Sequence, residues 1–292
     1  MPPLFRQTYP IDRYEIILVD DGSSDDTASR AMMLARAHQY ERAVSFRLIQ
    51  KPNGGPASAR NAGWLASKAE VVAFIDSDCE ASESWLMELV AGFTTPEIAG
   101  VGGPILDPTP CTVIADYVKA RRFFTHRVRG GRVDYLLTGN AAFRREALLA
   151  VDGFDEAVRT PGAEDPDLSF RIQQQGYRLA VTSTGAVLHH GVPPSVRGFL
   201  RTVRTYGEGN ALLSGRWQNG RTPLVEFVRH GGAIVLSPII AIRLARGQKV
   251  GVALRYWLLV IAEHSAFLVG LIGGLRRRAK ASHTGSDAFH GQ

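Results

Sequence analysis

The sequence predicts an α/β fold: an open, Rossmann-like, mostly parallel sheet with flanking helices, followed by a basic, apolar helical end. Three observations predict it. Short apolar runs alternate with helix-forming stretches from Tyr14 to His190, and such alternation implies right-handed crossovers onto one sheet. Two of these runs end in acidic turns, Asp20-Asp21-Gly22 and Asp76-Ser77-Asp78, at the carboxyl ends of strands, where open α/β sheets bind their ligands. The charge is also divided. Met1–Val196 carries 20 basic and 24 acidic residues, and Arg197–Gln292 carries 14 and 4, so a body of −4 precedes an end of +10.

The first strand is Tyr14–Val19, an apolar run bounded by turn residues, as expected of a strand buried on both faces. Ser24–Thr27 supplies capping side chains for a helix over Ala28–Tyr40. Val44–Ile49 reads as a strand, Pro52–Pro56 as a glycine-rich turn, Ala57–Ser67 as a helix and Glu70–Ile75 as a second buried strand. Trp85–Phe93 is helical. Beyond Gly100 the rhythm loosens: Pro104, Pro108 and Pro110 precede a helix over Val113–Thr125, and a short helix covers Arg145–Val151. Leu168, Ile172 and Gln175 share a helical face preceded by Glu164 and Asp165, and Arg178–Leu188 reads as a last strand before His189-His190.

The composition excludes several classes. At 45% hydrophobic and 21% charged, the chain buries a core and is not a disordered or collagen-like polymer. Cys79 and Cys111 are its only cysteines, too few for a disulfide framework or a cysteine zinc module. Met1–Arg6 lacks the apolar stretch of a secretory signal, and a cytoplasmic body is the expectation.

The chemistry begins at Asp76 and Asp78. Two carboxylates one residue apart at a strand end can share a hard divalent cation with phosphate oxygens; the alternatives are a solvated capping turn and an aspartyl phosphatase. Glu80 stands where such a phosphatase carries Thr or Val. Asp20-Asp21 offers acceptors to a ribose or base, and Arg60 lies on a helix that starts at a glycine-rich turn, suited to a base or pyrophosphate.

Taken in order, YEIILVDDGSSDDT (14–27), NGGPASARN (53–61), VVAFIDSDC (71–79), LTGNAAFRREAL (137–148), GFDE (153–156), EDPDLSFRIQQQGYRL (164–179) and His189-His190 resemble the inverting family 2 glycosyltransferases of the GT-A fold, over about residues 7–190. The resemblance implies a nucleoside-diphosphate sugar donor, a carbohydrate or lipid-linked acceptor and a divalent metal, Mg²⁺ or Mn²⁺. It implies that Asp20, Asp21, Arg60, Asn61 and Asp76 contact the donor, and that Asp76, Asp78 and His189 or His190, in the first instance His189, serve the metal. Asp165 would be the catalytic base with Glu164 beside it, and Gly139 and Asn140 would shape the acceptor side. Like-charged neighbours raise a carboxyl pKa, which suits Asp165 to accepting a hydroxyl proton.

Two departures qualify the resemblance. The family's usual first apolar strand is absent ahead of Tyr14, which predicts exposed strand edges and weakened donor binding; a nucleotide-sugar-binding or scaffold protein is the alternative reading. Arg216-Trp217 follows Leu213-Ser214-Gly215 rather than the Gln-led motif of polymerising members, which predicts transfer of one or a few sugars.

The domains expected are 1–191 catalytic, 192–230 a basic helical linker, 231–280 an apolar membrane-associated segment and 281–292 a disordered tail. Arg197, Arg201 and Arg204 share one helical face. Tyr256–Leu275 is long enough to cross a bilayer, but Glu263 and His264 at its middle oppose that. Gly270 and Gly274 would admit another helix closely. With cations on both flanks, a hairpin or interfacial helices at the cytoplasmic membrane face fit best. No nucleic-acid reader motif is present.

Overall fold

The structure, a computed structural model, describes residues 1–39, 44–107, 112–217 and 222–286. The chain divides into two compact units. The first comprises Met1–Pro108, Phe124–Arg159 and Glu164–Gly191; the second comprises Thr109–Phe123, Thr160–Ala163 and Val192–Gln292. Two short stretches that the sequence assigns to the catalytic domain therefore belong to the second unit.

In the first unit, β1 (Glu15–Asp20) leads to α1 (Thr27–Gln39), β2 (Ser45–Gln50), α2 (Pro56–Ala66), β3 (Val71–Ile75), β4 (Cys79–Ala81), α3 (Trp85–Ala91), β5 (Ile98–Gly102) and β6 (Ile105–Leu106). The predicted β-α alternation holds here to within a residue or two; Tyr40, Pro108 and Pro110 lie outside the described residues. In the second unit α4 (Val113–Arg121) stops four residues short of its predicted end, because Arg122 takes a left-handed conformation, φ 51°.

The first unit resumes with β7 (Arg127–Arg129), β8 (Arg132–Tyr135), β9 (Asn140–Arg144), α5 (Arg145–Ala150), α6 (Glu164–Gln174), β10 (Arg178–Val181) and β11 (Val187–His189). Two corrections follow. Glu164, Asp165 and Asp167 lie inside the first turn of α6 rather than ahead of it. The single strand expected over Arg178–Leu188 is two strands in different sheets, parted by a turn with Gly185 at φ 69°.

The sheet is mixed and comes in pieces. β10-β5-β9-β3 forms its centre, with β9 antiparallel to both β5 and β3 and β10 parallel to β5. β1 and β2 pair in parallel as a separate two-stranded sheet, so β1 and β3 each have one edge without a strand partner among the described residues. The core of this unit gathers Trp64, Phe74, Phe143, Leu148, Phe154 and Leu168.

The second unit adds α7 (Val196–Arg216), α8 (Pro223–Val235), α9 (Ser237–Leu244) and α10 (Val250–Ser286) to α4. Residues 281–286, assigned to a tail from the sequence, continue α10; residues 287–292 and Arg221 lie outside the described residues. The close helix approach expected at Gly270 and Gly274 is made by α7: a Cβ on Gly270 would overlap the Arg204 carbonyl oxygen, and one on Gly274 would come within 2.6 Å of Ala211 Cβ. Glu263 points inward, with its carboxylate accepting from Arg121 Nη2 at 2.6 Å, Arg121 Nε at 3.0 Å and the Tyr117 hydroxyl at 2.5 Å. His264 Nδ1 lies 2.7 Å from His230 Nδ1. The polar groups that oppose a membrane reading of this segment thus face protein, Glu263 partnered by Arg121 and Tyr117 and His264 by His230 through Nδ1.

Candidate active site

Arg60 organises the site. It sits one turn into α2, whose start follows Gly55 at φ 88°, a conformation that glycine adopts without a Cβ penalty. Its Nη2 donates to Asp76 Oδ1 at 3.0 Å and its Nη1 to Glu164 Oε1 at 2.9 Å, with Asp165 Oδ1 at 3.8 Å. A planar guanidinium with several donors in a fixed fork can bridge acids in this way, whereas a lysine ammonium could not span them with the same geometry. Burial works against its charge, but Asp165, Asp76 and Glu164 outweigh it and raise the pKa further, so Arg60 is a permanent cation. Three acids from two separate motifs, at the end of β3 and the start of α6, meet on one side chain.

Asp165 is oriented from the other side by Thr138. The Thr138 amide donates to Oδ2 at 3.0 Å and its hydroxyl to Oδ1 at 2.6 Å. Both bonds and Arg60 favour the carboxylate, yet burial, with Glu164 and Asp76 nearby, outweighs them and raises its pKa to about 7. Glu164 Oε2 is buried with no hydrogen-bond partner among the described residues. Thr138 is the residue that sequence reasoning passed over. Its position directly before Gly139-Asn140 was visible, but its reach to Asp165, 27 residues away, was not.

A second cluster forms where β11 pairs antiparallel with β4, setting His189 opposite Cys79. The strand alternation chooses between the two histidines. His189 turns inward, its Nε2 at 3.6 Å from Asp78 Oδ2, while His190 is exposed with its Nε2 at 3.2 Å from Glu80. Asp78, Cys79 and His189 present ligand atoms within 4.8 Å of one another. Gly191 keeps this space open: a Cβ there would overlap Asp78 Oδ2 and stand 2.9 Å from His189 Nε2. Burial and the two neighbouring aspartates push the Cys79 thiol up to about 12, so it is a neutral thiol and a weak partner for a hard cation. Asp76 is turned to Arg60 instead, with Gly139 beside it: a Cβ on Gly139 would lie 3.1 Å from Asp76 Oδ2.

The remaining predicted residues divide into lining and bracing groups. Asp20 Oδ1 accepts from the Ser23 amide at 2.9 Å, and bonds from Ser23 hold its carboxyl below the ordinary range. Asp21 clamps the glycine-rich turn, accepting from Lys51 Nζ at 2.7 Å and from the Gly54 and Gly55 amides at 3.0 and 2.7 Å. Asn61, expected at the donor, braces α2 against the Phe154 segment. Its Nδ2 donates to Phe154 O and Glu156 Oε1 and its Oδ1 accepts from Trp64 Nε1 and the Phe154 amide, which uses the amide's full hydrogen-bonding capacity. Asn140, expected on the acceptor side, is fully buried, donates to Pro104 O and Gly185 O and accepts from Trp85 Nε1 at 2.7 Å.

Comparisons with known proteins bear on this arrangement. The sequence profile of glycosyl transferase family 2 matches residues 4–151. A pre-mycofactocin glycosyltransferase of Mycobacterium tuberculosis is 28% identical over 245 residues, 80% of this chain and 48% of that protein. A beta-monoglucosyldiacylglycerol synthase of Trichormus variabilis is 25% identical over 197 residues, 64% of this chain and 40% of that protein. The chain spans about half the length of these curated relatives or less. Among solved structures, a mannosyltransferase from Pyrobaculum calidifontis, in complex with GDP-Man and Mn²⁺, superposes with a TM-score of 0.65 at 20% identity, covering 94% of this chain and 81% of that one, and so shares its fold.

Proposed function

The chain belongs to glycosyl transferase family 2, and from that premise we propose that it transfers a sugar, with inversion, from a nucleoside-diphosphate sugar to an acceptor hydroxyl. The observation that carries this reading is the Arg60 cluster, in which the Asp76 carboxylate and the Asp165 carboxylate share one cation. Displacement at a sugar carbon needs a base for the acceptor proton and positive charge for the leaving diphosphate. Asp165 is the base: buried, oriented by two bonds from Thr138, and holding a proton more readily than an ordinary aspartate. One base facing one leaving group suits a single displacement, hence inversion. Glu164 holds Arg60 in place from the base side.

Asp78 and His189, with Asp76 nearby, are the residues that would hold a divalent cation, Mg²⁺ or Mn²⁺, and the space kept free by Gly191 supports this. Such a cation supplies Lewis-acid charge to the leaving phosphates. Asp20 and the turn clamped by Asp21 are the surfaces for the nucleoside. A relative named for a glucosylated diacylglycerol and the cationic helical end support an acceptor on a lipid or lipid carrier at the cytoplasmic membrane face.

A screen of UDP-, GDP- and dTDP-sugars for donor hydrolysis, run on the wild type and on Asp78→Ala, tests the reading. Turnover of one donor that Asp78→Ala abolishes is expected. Failure of every donor and every nucleotide to bind would favour a scaffold protein instead.

A further inference from the structure

The second unit carries aliphatic groups on its outer surface as well as in its core. Val228 on α8 is 68% exposed, Val235 78% and Ile242 on α9 66%. α8 and α9 bend by 70° at Leu236, just ahead of Pro238, and exposed aliphatic side chains occur on both arms of this elbow. On α10, Leu254, Leu258, Val269 and Ile272 are exposed and recur at helical spacing. The opposite stripe is buried and carries Tyr256, Glu263, His264 and Phe267. A helix packed only for water would carry polar residues on that outer stripe.

Charge is sorted in the same way. Between Pro223 and Lys280 the acids are Glu226 and Glu263, and both are buried, bonded to Arg229 and Arg121 respectively. The charge left outside is therefore positive. Arg243, Arg246, Lys249 and Arg255 crowd the junction of α9 and α10, and none has an ion-pair partner among the described residues. Contiguous apolar surface rimmed by a single sign of charge marks a docking face. Neither a water-exposed surface nor an acid-bearing protein core explains both features.

We propose that this outer face, the α8–α9 elbow with the exposed stripe of α10 and its cationic rim, lies on an anionic lipid bilayer, the helices parallel to the membrane plane. Aliphatic side chains enter the headgroup boundary while the arginines and Lys249 meet lipid phosphates. The inward Glu263–Arg121 and His264–His230 contacts stay within protein and need no place in hydrocarbon. This specifies the membrane part of the reading above and stands apart from the donor chemistry: vesicle flotation measures the one and donor turnover the other.

The test is flotation of the full chain, synthesised in the presence of vesicles, on phosphatidylcholine vesicles with and without phosphatidylglycerol. Flotation with the anionic vesicles and little with the neutral ones is expected. Val228→Glu/Ile242→Glu should lose flotation, and Arg243→Ala/Arg246→Ala should weaken it by about fivefold per cation removed, the equivalent of ~1 kcal/mol each. Circular dichroism unchanged from wild type shows that the variants fold. A wild type that stays at the bottom of the gradient would overturn the proposal, as would undiminished flotation of both variants, or a vesicle-free dimer that the Val228→Glu/Ile242→Glu change disperses without any lipid binding.

Discussion

Each unit holds a partly buried arginine against acid, and the two centres differ in balance. Around Arg121 a single carboxylate, Glu263, receives two of the three guanidinium nitrogens and a tyrosine hydroxyl, so charge and hydrogen bonding are matched one to one. Around Arg60 one guanidinium serves three carboxylates, one acid oxygen has no hydrogen-bond partner among the described residues, and Asp76 reaches solvent with 41% of its side chain. Folding alone gives no reason to assemble an under-neutralised cluster, because buried like charges cost stability. A balanced buried pair is consistent with architecture, whereas a surplus of acid beside an opening is where a cationic partner and a proton have work to do.

The sharpest way to break the comparison is to neutralise one acid in each centre. Asp165→Asn keeps the shape of the Arg60 cluster but removes the proton acceptor, and turnover should fall about 10²- to 10⁴-fold with nucleotide binding retained by calorimetry. Arg60→Met should also end turnover, because it releases Asp76 and Glu164 from their shared cation. In the other centre Glu263→Ala should act on stability, costing about 1–3 kcal/mol by chemical denaturation, since the partly buried Arg121 and the Tyr117 hydroxyl would lose their acid. The double change Arg121→Met/Glu263→Leu should recover most of that loss, as replacement of a whole buried pair by apolar groups often does. No apolar replacement of the Arg60 cluster should restore turnover.

The smallest expected effect is in pH. With its pKa raised to about 7, Asp165 is protonated below that pH, so activity should rise as pH passes upward through 7. Stability runs the other way. The folded state holds this proton more tightly than the unfolded chain, whose value is 3.8, so the contribution is full below 3.8 and is lost as pH rises toward 7. Thr138→Val removes the hydroxyl donor that favours the carboxylate and should move the activity limb to higher pH, while Asp165→Asn should abolish the limb.

Much of this was legible in the sequence because it is local. The β-α rhythm through Ile75 and the acidic turns at Asp20 and Asp76 depend on short-range pattern. What was not legible depends on sidedness and on strand pairing. The role of Thr138 depends on a bond to α6, and the choice of His189 over His190 on the register of β11 against β4. Asn61 and Asn140 sit within informative motifs and proved to be braces, since a motif marks a neighbourhood without saying which side chains point into it. β5, Ile98–Gly102, escaped notice because its two glycines dilute the apolar signal; Gly100 is needed there because a Cβ would come within 2.9 Å of the Phe143 ring. At the helical end, hydropathy treated Glu263 as an obstacle, and only the packing shows it facing Arg121.

The seam of glycines between α7 and α10 has a consequence for inheritance. Gly207 lies against the Phe267 carbonyl, Gly270 against that of Arg204, and Gly274 against that of Glu208, so backbone meets backbone at three stations along one contact. Side chains that interdigitate can re-pack after a slip; a bare seam of this kind behaves like a keyed shaft. Moving α10 by one residue would press Val269 or Leu271 into the slot that only a hydrogen atom fits, so drift in the surrounding sequence can proceed while the register of α10 against α7 stays fixed.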